Sequence, residues 1–183
     1  MNQESAIERQ IRLIEGLRNP SAYPHDVTTV TLLETHISYV LLTGTYAYKI
    51  KKAIVLDFLD FLTLESRHHF CEEEVRLNRR LAPEVYLGVV SIGGNMEKPT
   101  FGSEGPTLEY AVKMREFPQE GLLSLMIASG SLTARHIDAL AARVASFHAS
   151  IEVAPSNGQL GSPATVRRIA FENFTETQPL VQE

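Results

Sequence analysis

The sequence contains one cysteine, no tryptophan and no long hydrophobic run. The single cysteine, Cys71, excludes a framework of internal disulfides and is typical of a protein in the reducing cytosol. No apolar run approaches the length needed to cross a membrane. Residues 1–5 lack the basic start and the apolar core of a secretory signal. We therefore predict a cytoplasmic protein with no membrane partner.

Positive charge is also in short supply. The chain has 17 Lys and Arg against 22 Asp and Glu, which gives a net charge of −5. Proteins that bind nucleic acid usually carry a basic patch, so we expect no nucleic-acid partner. With 183 residues and 44% hydrophobic content, the chain can form one domain with a real core, or two small lobes.

A strand with lysines on one face is predicted at residues 46–51. The alternation places Tyr46, Tyr48 and Ile50 on one face and Ala47, Lys49 and Lys51 on the other. A small residue followed two positions later by a lysine suits a bound nucleotide. The small residue leaves room for a flat base, and the lysine reaches phosphate oxygens. Kinase-like folds use an Ala-x-Lys strand in this way, with the lysine held by a glutamate on the next helix.

That helix is predicted over residues 63–81. Phe70, Leu77 and Leu81 share one stripe at helical spacing, and Glu74 lies within it. A carboxylate on an inward face is costly unless it meets a cation, and Lys49 is the candidate, with Lys51 in reserve. The alternative is that the lysines lie on an exposed edge strand and that residues 72–74 form a solvated run of charge.

The remaining elements predict an α+β fold. We expect helices over residues 5–19, 121–128, 133–151 and from 163, and strands over 27–33, 37–42, 85–92, 96–101 and 107–117. The loop at 34–36 has no glycine, and no G-x-x-x-x-G-K-[ST] motif is present, which excludes a P-loop within these residues. The segment 115–118 is predicted to act as a hinge whose backbone groups can bind an adenine edge.

Two groups of residues invite a metal interpretation, and we favour other roles for both. Asp57 and Asp60 are expected to lie in a loop that packs its Leu and Phe side chains and caps the following helix. His68, His69 and Cys71 are close together, but a zinc site needs a further cluster of ligands. We therefore predict no metal ligands in this chain.

Several motifs resemble those of bacterial aminoglycoside-phosphotransferase-like proteins, many of which carry a second, P-loop kinase domain. The most specific segments are residues 48–52, 58–61, 71–74 and 77–83, and residues 110–114 with 117–118 resemble the family's hinge. Residues 147–148 and 172–174 also fit. The resemblance implies a protein-kinase-like N-terminal lobe, with an antiparallel sheet and a long helix. It further implies ATP as phosphate donor, Mg²⁺, and an unknown small-molecule acceptor.

By this resemblance, the nucleotide-binding residues are Lys49, Glu74, Ala47 and Met114. Lys49 matches the phosphate-binding lysine, and Glu74 matches its partner. The chain departs from the family at the catalytic centre. Its aspartates are Asp26, Asp57, Asp60 and Asp138, and none stands in a His-x-Asp-x-x-x-x-Asn run. We therefore assign no catalytic residue, and we expect the Mg²⁺ ligands outside this chain.

The predicted organisation is a kinase-like lobe with a leading helix at 1–117 and the start of a helical C-terminal lobe at 118–183, truncated before the catalytic loop. Three hypotheses follow. The chain is the ATP side of a phosphotransferase and inactive alone, a non-catalytic kinase-like binding or regulatory module, or an unrelated α+β domain. The helices after 118 should keep an incompletely covered apolar face around Val144, Phe147 and Ile151, so we also expect possible self-association.

Overall fold

The computed structural model describes residues 3–103, 105–155, 158, 161–178 and 181. The chain divides into two compact units, residues 1–137 and 138–183, and the boundary falls inside one helix. The first unit is a mixed α+β structure built on an antiparallel sheet, and the second is helical. The sequence divides the chain elsewhere, at 117/118, between a kinase-like lobe and the start of a helical lobe, and that functional division stays a prediction.

Five α-helices and eight strands are present in the part of the chain that the structure describes. The helices are α1 (Gln3–Leu17), α2 (Leu64–Asn78), α3 (Leu123–Ala128), α4 (Ala134–Ser150) and α5 (Pro163–Thr177). The strands are β1 (Thr31–Glu34), β2 (Ser38–Leu42), β3 (Tyr46–Lys51), β4 (Val55–Leu56), β5 (Leu59–Asp60), β6 (Tyr86–Gly94), β7 (Pro99–Phe101) and β8 (Glu109–Arg115). Short 3-10 helices occupy Pro20–Ala22 and Gln119–Gly121.

Six strands form one sheet in the order β1-β2-β3-β8-β6-β7, and every neighbouring pair is antiparallel. The strands β4 and β5 form a separate two-stranded hairpin. Because β8 inserts between β3 and β6, the lysine strand β3 is internal, with β2 on one side and β8 on the other. The edge-strand alternative for Lys49 and Lys51 is therefore wrong.

The two faces of the sheet carry different cores. One face packs against α1 and the segment that follows it, and its buried residues include Leu13, Leu17, Tyr48, Ile50 and Ala111. The other face packs against α2 through Cys71, Val75 and Val112. Tyr48 and Ile50 belong to the first face, which confirms the alternation predicted for β3. Lys49 and Lys51 therefore point toward α2.

The helix α2 forms where it was expected, and its N-terminus is capped by Thr63, whose side chain accepts a hydrogen bond from the backbone N–H of Ser66. The predicted inward stripe is wrong. Phe70, Leu77 and Leu81 are 39%, 45% and 40% exposed, and the buried residues of α2 are Arg67, Cys71 and Val75. The short side chains of Cys71 and Val75 are the ones that pack on the sheet, and Glu74 lies three residues after Cys71, beside this buried row.

The hairpin at residues 55–60 also differs from its prediction. Val55, Leu56 and Phe58 are exposed, with Phe58 at 79%, whereas Phe61 is buried with its ring centre 5.1 Å from that of Phe70, so the expected packing holds only at the end of the segment. Asp60 does not cap α2: its Oδ1 accepts a hydrogen bond from the backbone N–H of Leu62. The cap is a threonine because Thr63 has the extended backbone that places its hydroxyl over the first turn.

The helices after residue 133 expose their apolar side chains. Of the face expected to be incompletely covered, Val144 is 37% exposed and Phe147 and Ile151 are partly buried, which confirms the incomplete cover; Ile137 and Leu140, also on α4, are 47% and 54% exposed. The start of α5 is confirmed too, since Ser162 caps it and Pro163 follows at the first helical position. Val166, Ile169 and Ala170 on α5 are exposed as well. None of the helices among the described residues is long and apolar enough to cross a membrane.

Candidate functional site: a lysine pair on one glutamate

The predicted approach of Lys49 and Glu74 is confirmed. The Lys49 ammonium donates to Glu74 Oε1 at 2.8 Å, and the Lys51 ammonium donates to Glu74 Oε2 at 2.7 Å. Both lysines come from one face of β3, and the carboxylate comes from the third turn of α2. One glutamate therefore ties the helix to the strand by both of its oxygens.

The charge at this site is unbalanced. Burial alone would raise the pKa of the Glu74 carboxyl, but the hydrogen bonds and charges of Lys49 and Lys51 outweigh burial and lower it. The carboxylate is therefore ionised at neutral pH. Two ammonium groups against one carboxylate leave one net positive charge, so the site can accept an anion without first losing its own ion pair.

The two lysines differ in their access to solvent. The side chain of Lys51 is 7% exposed, and its ammonium lies 5.1 Å from the centre of the Phe61 ring. The side chain of Lys49 is 28% exposed. A ligand can therefore reach Lys49, while Lys51 is enclosed. The reserve role that we gave Lys51 is better described as fixing Glu74.

Ala47 and Met114 lie opposite each other on neighbouring strands. The register of β3 and β8 pairs Ala47 with Met114 and Lys49 with Val112. Ala47 and Lys49 share a face of β3, so a flat group over Ala47 and Met114 would lie beside the Lys49 ammonium. The structure thus brings together the four residues predicted to bind nucleotide: Lys49, Glu74, Ala47 and Met114.

The backbone donors of residues 115–117, where β8 ends and the predicted hinge begins, differ in their partners. The N–H of Arg115 donates to Val85 O at 2.8 Å, and the N–H of Glu116 donates to Thr45 O at 3.0 Å. The N–H of Phe117 makes no hydrogen bond to any residue that the structure describes. Phe117 follows Met114 by three residues, and a backbone donor without a protein partner is the kind of group that can bind an adenine edge.

The carboxylate of Glu116 holds this segment in place. Its Oε2 accepts hydrogen bonds from the backbone N–H groups of Thr43 and Gly44, at 2.9 and 2.8 Å. Gly44 has φ +86°, a conformation that glycine adopts at little cost, and this exposes both N–H groups to one oxygen. The turn between β2 and β3 is thereby joined to the predicted hinge at 115–118.

The sequence did not indicate Tyr86, which lies beside this site. Tyr86 pairs with Met114 across β6 and β8. Burial raises the pKa of the Tyr86 hydroxyl, the charge of Glu74 raises it further, and that of Lys49 lowers it. Only the pairing of β6 with β8, which depends on tertiary structure, brings Tyr86 here.

The residues weighed as metal ligands have other surroundings. His68 stacks on Tyr110 with ring centres 3.9 Å apart, and its Nε2 lies 3.4 Å from Glu72 Oε1. Cys71 is fully buried, and burial raises the pKa of its thiol to about 12, so the thiol is neutral at physiological pH. The described residues include no group of three or more His, Cys, Asp or Glu side chains that could hold a metal ion.

Comparison with known proteins finds relatives in mycobacteria. Proteins of Mycobacterium tuberculosis and Mycobacterium bovis, each called an uncharacterized protein, are 34% identical to this chain over 155 residues. The match covers 83% of this chain and 30% of each relative, so the chain spans under a third of the length of the curated relatives it matches. No protein-family model and no solved structure matches the chain.

Proposed function

We propose that this chain is the nucleotide-binding part of an ATP-dependent, kinase-like phosphotransferase that acts on a small molecule, of the aminoglycoside-phosphotransferase-like type. The observation that carries the proposal is the 2.8 Å ion pair between Lys49, on an Ala-x-Lys strand, and Glu74, on the helix that follows. In protein kinases the equivalent lysine and glutamate must pair before the lysine can hold the phosphates.

The order of the elements supports the proposal. Two antiparallel strands, β1 and β2, lead to the lysine strand β3, the β4–β5 hairpin and the long helix α2 follow, and three further strands, β6, β7 and β8, complete the sheet. The last of them, β8, pairs with the lysine strand and continues directly into the predicted hinge. A base bound at the hinge therefore has its phosphates directed along β3 toward Lys49.

The chemistry of the site fits a nucleoside triphosphate. The partly exposed Met114 would supply the apolar surface for the base, with the small, largely buried Ala47 beside it, and the Phe117 N–H would donate to the edge of the base. The net positive charge around Glu74 favours phosphate oxygens. Lys49 is the lysine that solvent can reach, so it is the one assigned to the phosphates.

The residues that bind the base and the phosphates are not expected to bind the metal ion or the acceptor molecule. The side chains that the structure describes do not fit a magnesium site, since no three His, Cys, Asp or Glu side chains lie close enough together to hold a metal ion. The relatives have more than three times the matched length, and the proposal places the Mg²⁺ ligands, the catalytic base and the acceptor site in the corresponding remainder of such a protein.

ATP binding to the 183-residue chain tests the proposal. We expect a dissociation constant in the range of about 1 mM by NMR titration, since a lone lysine without Mg²⁺ ligands gives weak binding. Lys49→Ala should abolish the chemical-shift changes. Lys52→Ala is the matched control, because Lys52 pairs with the exposed Glu34 at 2.6 Å and should leave them unchanged.

The test compares ATP binding by the Lys49→Ala and Lys52→Ala variants. Loss of binding in Lys49→Ala alone supports the nucleotide site. Equal loss in both variants, or no binding by the wild-type chain at 10 times the expected constant, contradicts it. ATP binding without phosphate transfer by a protein of the relatives' full length would favour the non-catalytic binding module instead.

A further inference from the structure

A buried polar cluster joins the beginning of α2 to the rest of the first unit. Its members are Gln10, Arg67 and Glu109. Glu109 is 1% exposed, Arg67 donates to it from Nε at 2.9 Å, and Arg67 Nη2 forms an ion pair with Glu109 Oε2 at 2.9 Å. Gln10 donates from Nε2 to Glu109 Oε2 at 2.8 Å. The Glu109 carboxylate thus accepts hydrogen bonds from a side chain of α1 and from a side chain of α2.

The other polar atoms of the cluster form hydrogen bonds with backbone groups. Arg67 Nη1 donates to the carbonyls of Phe61 and Leu62, each at 2.9 Å. Gln10 Oε1 accepts from the N–H of Ala53 at 2.8 Å, and Gln10 Nε2 also donates to the carbonyl of Lys51 at 2.7 Å. The cluster therefore joins α1, the end of β3, the segment before α2, α2 itself and β8.

The position of the cluster relates it to Glu74. Arg67 precedes Glu74 by seven residues, which is about 700° of helical rotation, only 20° short of two full turns, and about 10 Å of rise. The two side chains therefore leave α2 on the same side. Lys51 belongs to both arrangements, because its carbonyl accepts from Gln10 and its ammonium donates to Glu74.

We infer that the Gln10–Arg67–Glu109 cluster positions α2 and Lys51 so that Glu74 meets Lys49. Net stability is a weak explanation for such a cluster, because well-packed apolar residues often replace a buried ion pair without loss. A positioning role explains why every hydrogen bond of the cluster ends on an element that carries, or adjoins, the ion pair. The consequence for ATP rests on the proposed function, while the placement of α2 does not.

Cys71 provides a direct readout of that placement. It is the single cysteine of the chain, it is fully buried under α2, and it lies one turn after Arg67. The rate at which Ellman's reagent labels it reports how often α2 leaves the sheet. The test variant is the double substitution Arg67→Met with Glu109→Met, which removes both charges together. The control is Leu41→Ala, a fully buried core residue outside the cluster.

The labelling rates are compared with global stability measured by urea unfolding. We expect the double variant to label about tenfold faster than its global unfolding alone accounts for, because α2 opens locally. Leu41→Ala should label at the rate set by its own global stability. If the double variant does not fold, Glu109→Gln, which keeps the shape of the side chain, is expected to show the same excess to a smaller degree.

If the labelling rate of every variant, including the double variant, follows from its global stability alone, the inference is overturned. The second readout is the ATP dissociation constant, which should rise about tenfold in the double variant at unchanged stability. An unchanged constant would also count against positioning. If the wild-type chain binds no ATP, the proposed function fails, and Cys71 labelling alone decides the role of the cluster.

Discussion

At the scale of single residues, Glu74 is the group on which the site depends. It is the shared partner of two lysines, one enclosed and one open to solvent. Removing its charge leaves Lys51 almost buried beside a neutral group, a situation that is expensive in a protein interior. The consequences for stability can be measured directly.

Glu74→Gln should destabilise the chain by about 3 kcal/mol, at the low end of the range for breaking a buried ion pair, because Lys49 remains partly hydrated. Urea unfolding at pH 7 measures it. Glu73→Gln is the control on the neighbouring position, where the carboxylate pairs with Arg76 at 2.6 Å on the helix surface, and we expect a much smaller loss. Equal losses in the two variants would contradict the assignment.

The same carboxylate predicts a dependence on pH. The pKa of Glu74 is lower in the folded chain than in the unfolded chain, so its contribution is complete above the ordinary value of about 4.3 and is lost as the pH falls through the folded pKa. The stability advantage of the wild type over Glu74→Gln should therefore shrink on acidification below pH 4.3. Unfolding curves of both proteins between pH 7 and pH 3 measure the difference, and an advantage that stays constant would be inconsistent with this account.

At the scale of elements, strand β3 was predictable and the packing of α2 was not. A strand has two faces, so the alternation of 46–51 left one choice for Lys49. The helix α2 offers two rows at helical spacing, one through Phe70 and Leu77 and one through Arg67, Cys71 and Val75. The second row is buried because Arg67 finds Glu109, 42 residues later, and no local pattern shows that partner. Glu74 was placed correctly because it adjoins both rows.

The turn between β2 and β3 allows a test of backbone geometry. Gly44→Ala places a Cβ in open space at φ +86°, so its cost is backbone strain alone, about 1 kcal/mol. Gly121→Ala is the control, because that glycine also has open space around it and lacks a positive φ. Thermal unfolding of both variants measures the difference. A Gly121→Ala variant as unstable as Gly44→Ala would show that strain at the turn is not the cause.

At the scale of the whole molecule, the exposed apolar side chains of α4 predict association. Ile137, Leu140 and Val144 lie on one stripe and are each more than a third exposed. Sedimentation velocity should show the weight-average mass of the chain rising with concentration. Leu140→Glu should reduce that rise, while Ala142→Glu, which adds the same charge on the opposite side of α4, should not. A clean monomer across a wide concentration range would contradict the prediction.

The chain alone is predicted to bind ATP without transferring phosphate. Transfer requires an aspartate that accepts the acceptor's proton, and Mg²⁺ held between carboxylate and amide groups. The four aspartates, Asp26, Asp57, Asp60 and Asp138, are all exposed. None stands in a His-x-Asp-x-x-x-x-Asn run, and the described residues hold no group of three His, Cys, Asp or Glu side chains that could bind a metal ion.

The lack of both the aspartate base and the bound Mg²⁺ lowers the rate of phosphate transfer by at least about three orders of magnitude. The measurement is ATP turnover by the purified chain with aminoglycosides and small alcohols as acceptors, with Lys49→Ala in parallel to detect a contaminating kinase. We expect both proteins to stay at background. Turnover by the wild type that disappears in Lys49→Ala would refute the prediction, and substituting each of the four aspartates by asparagine would then identify the base.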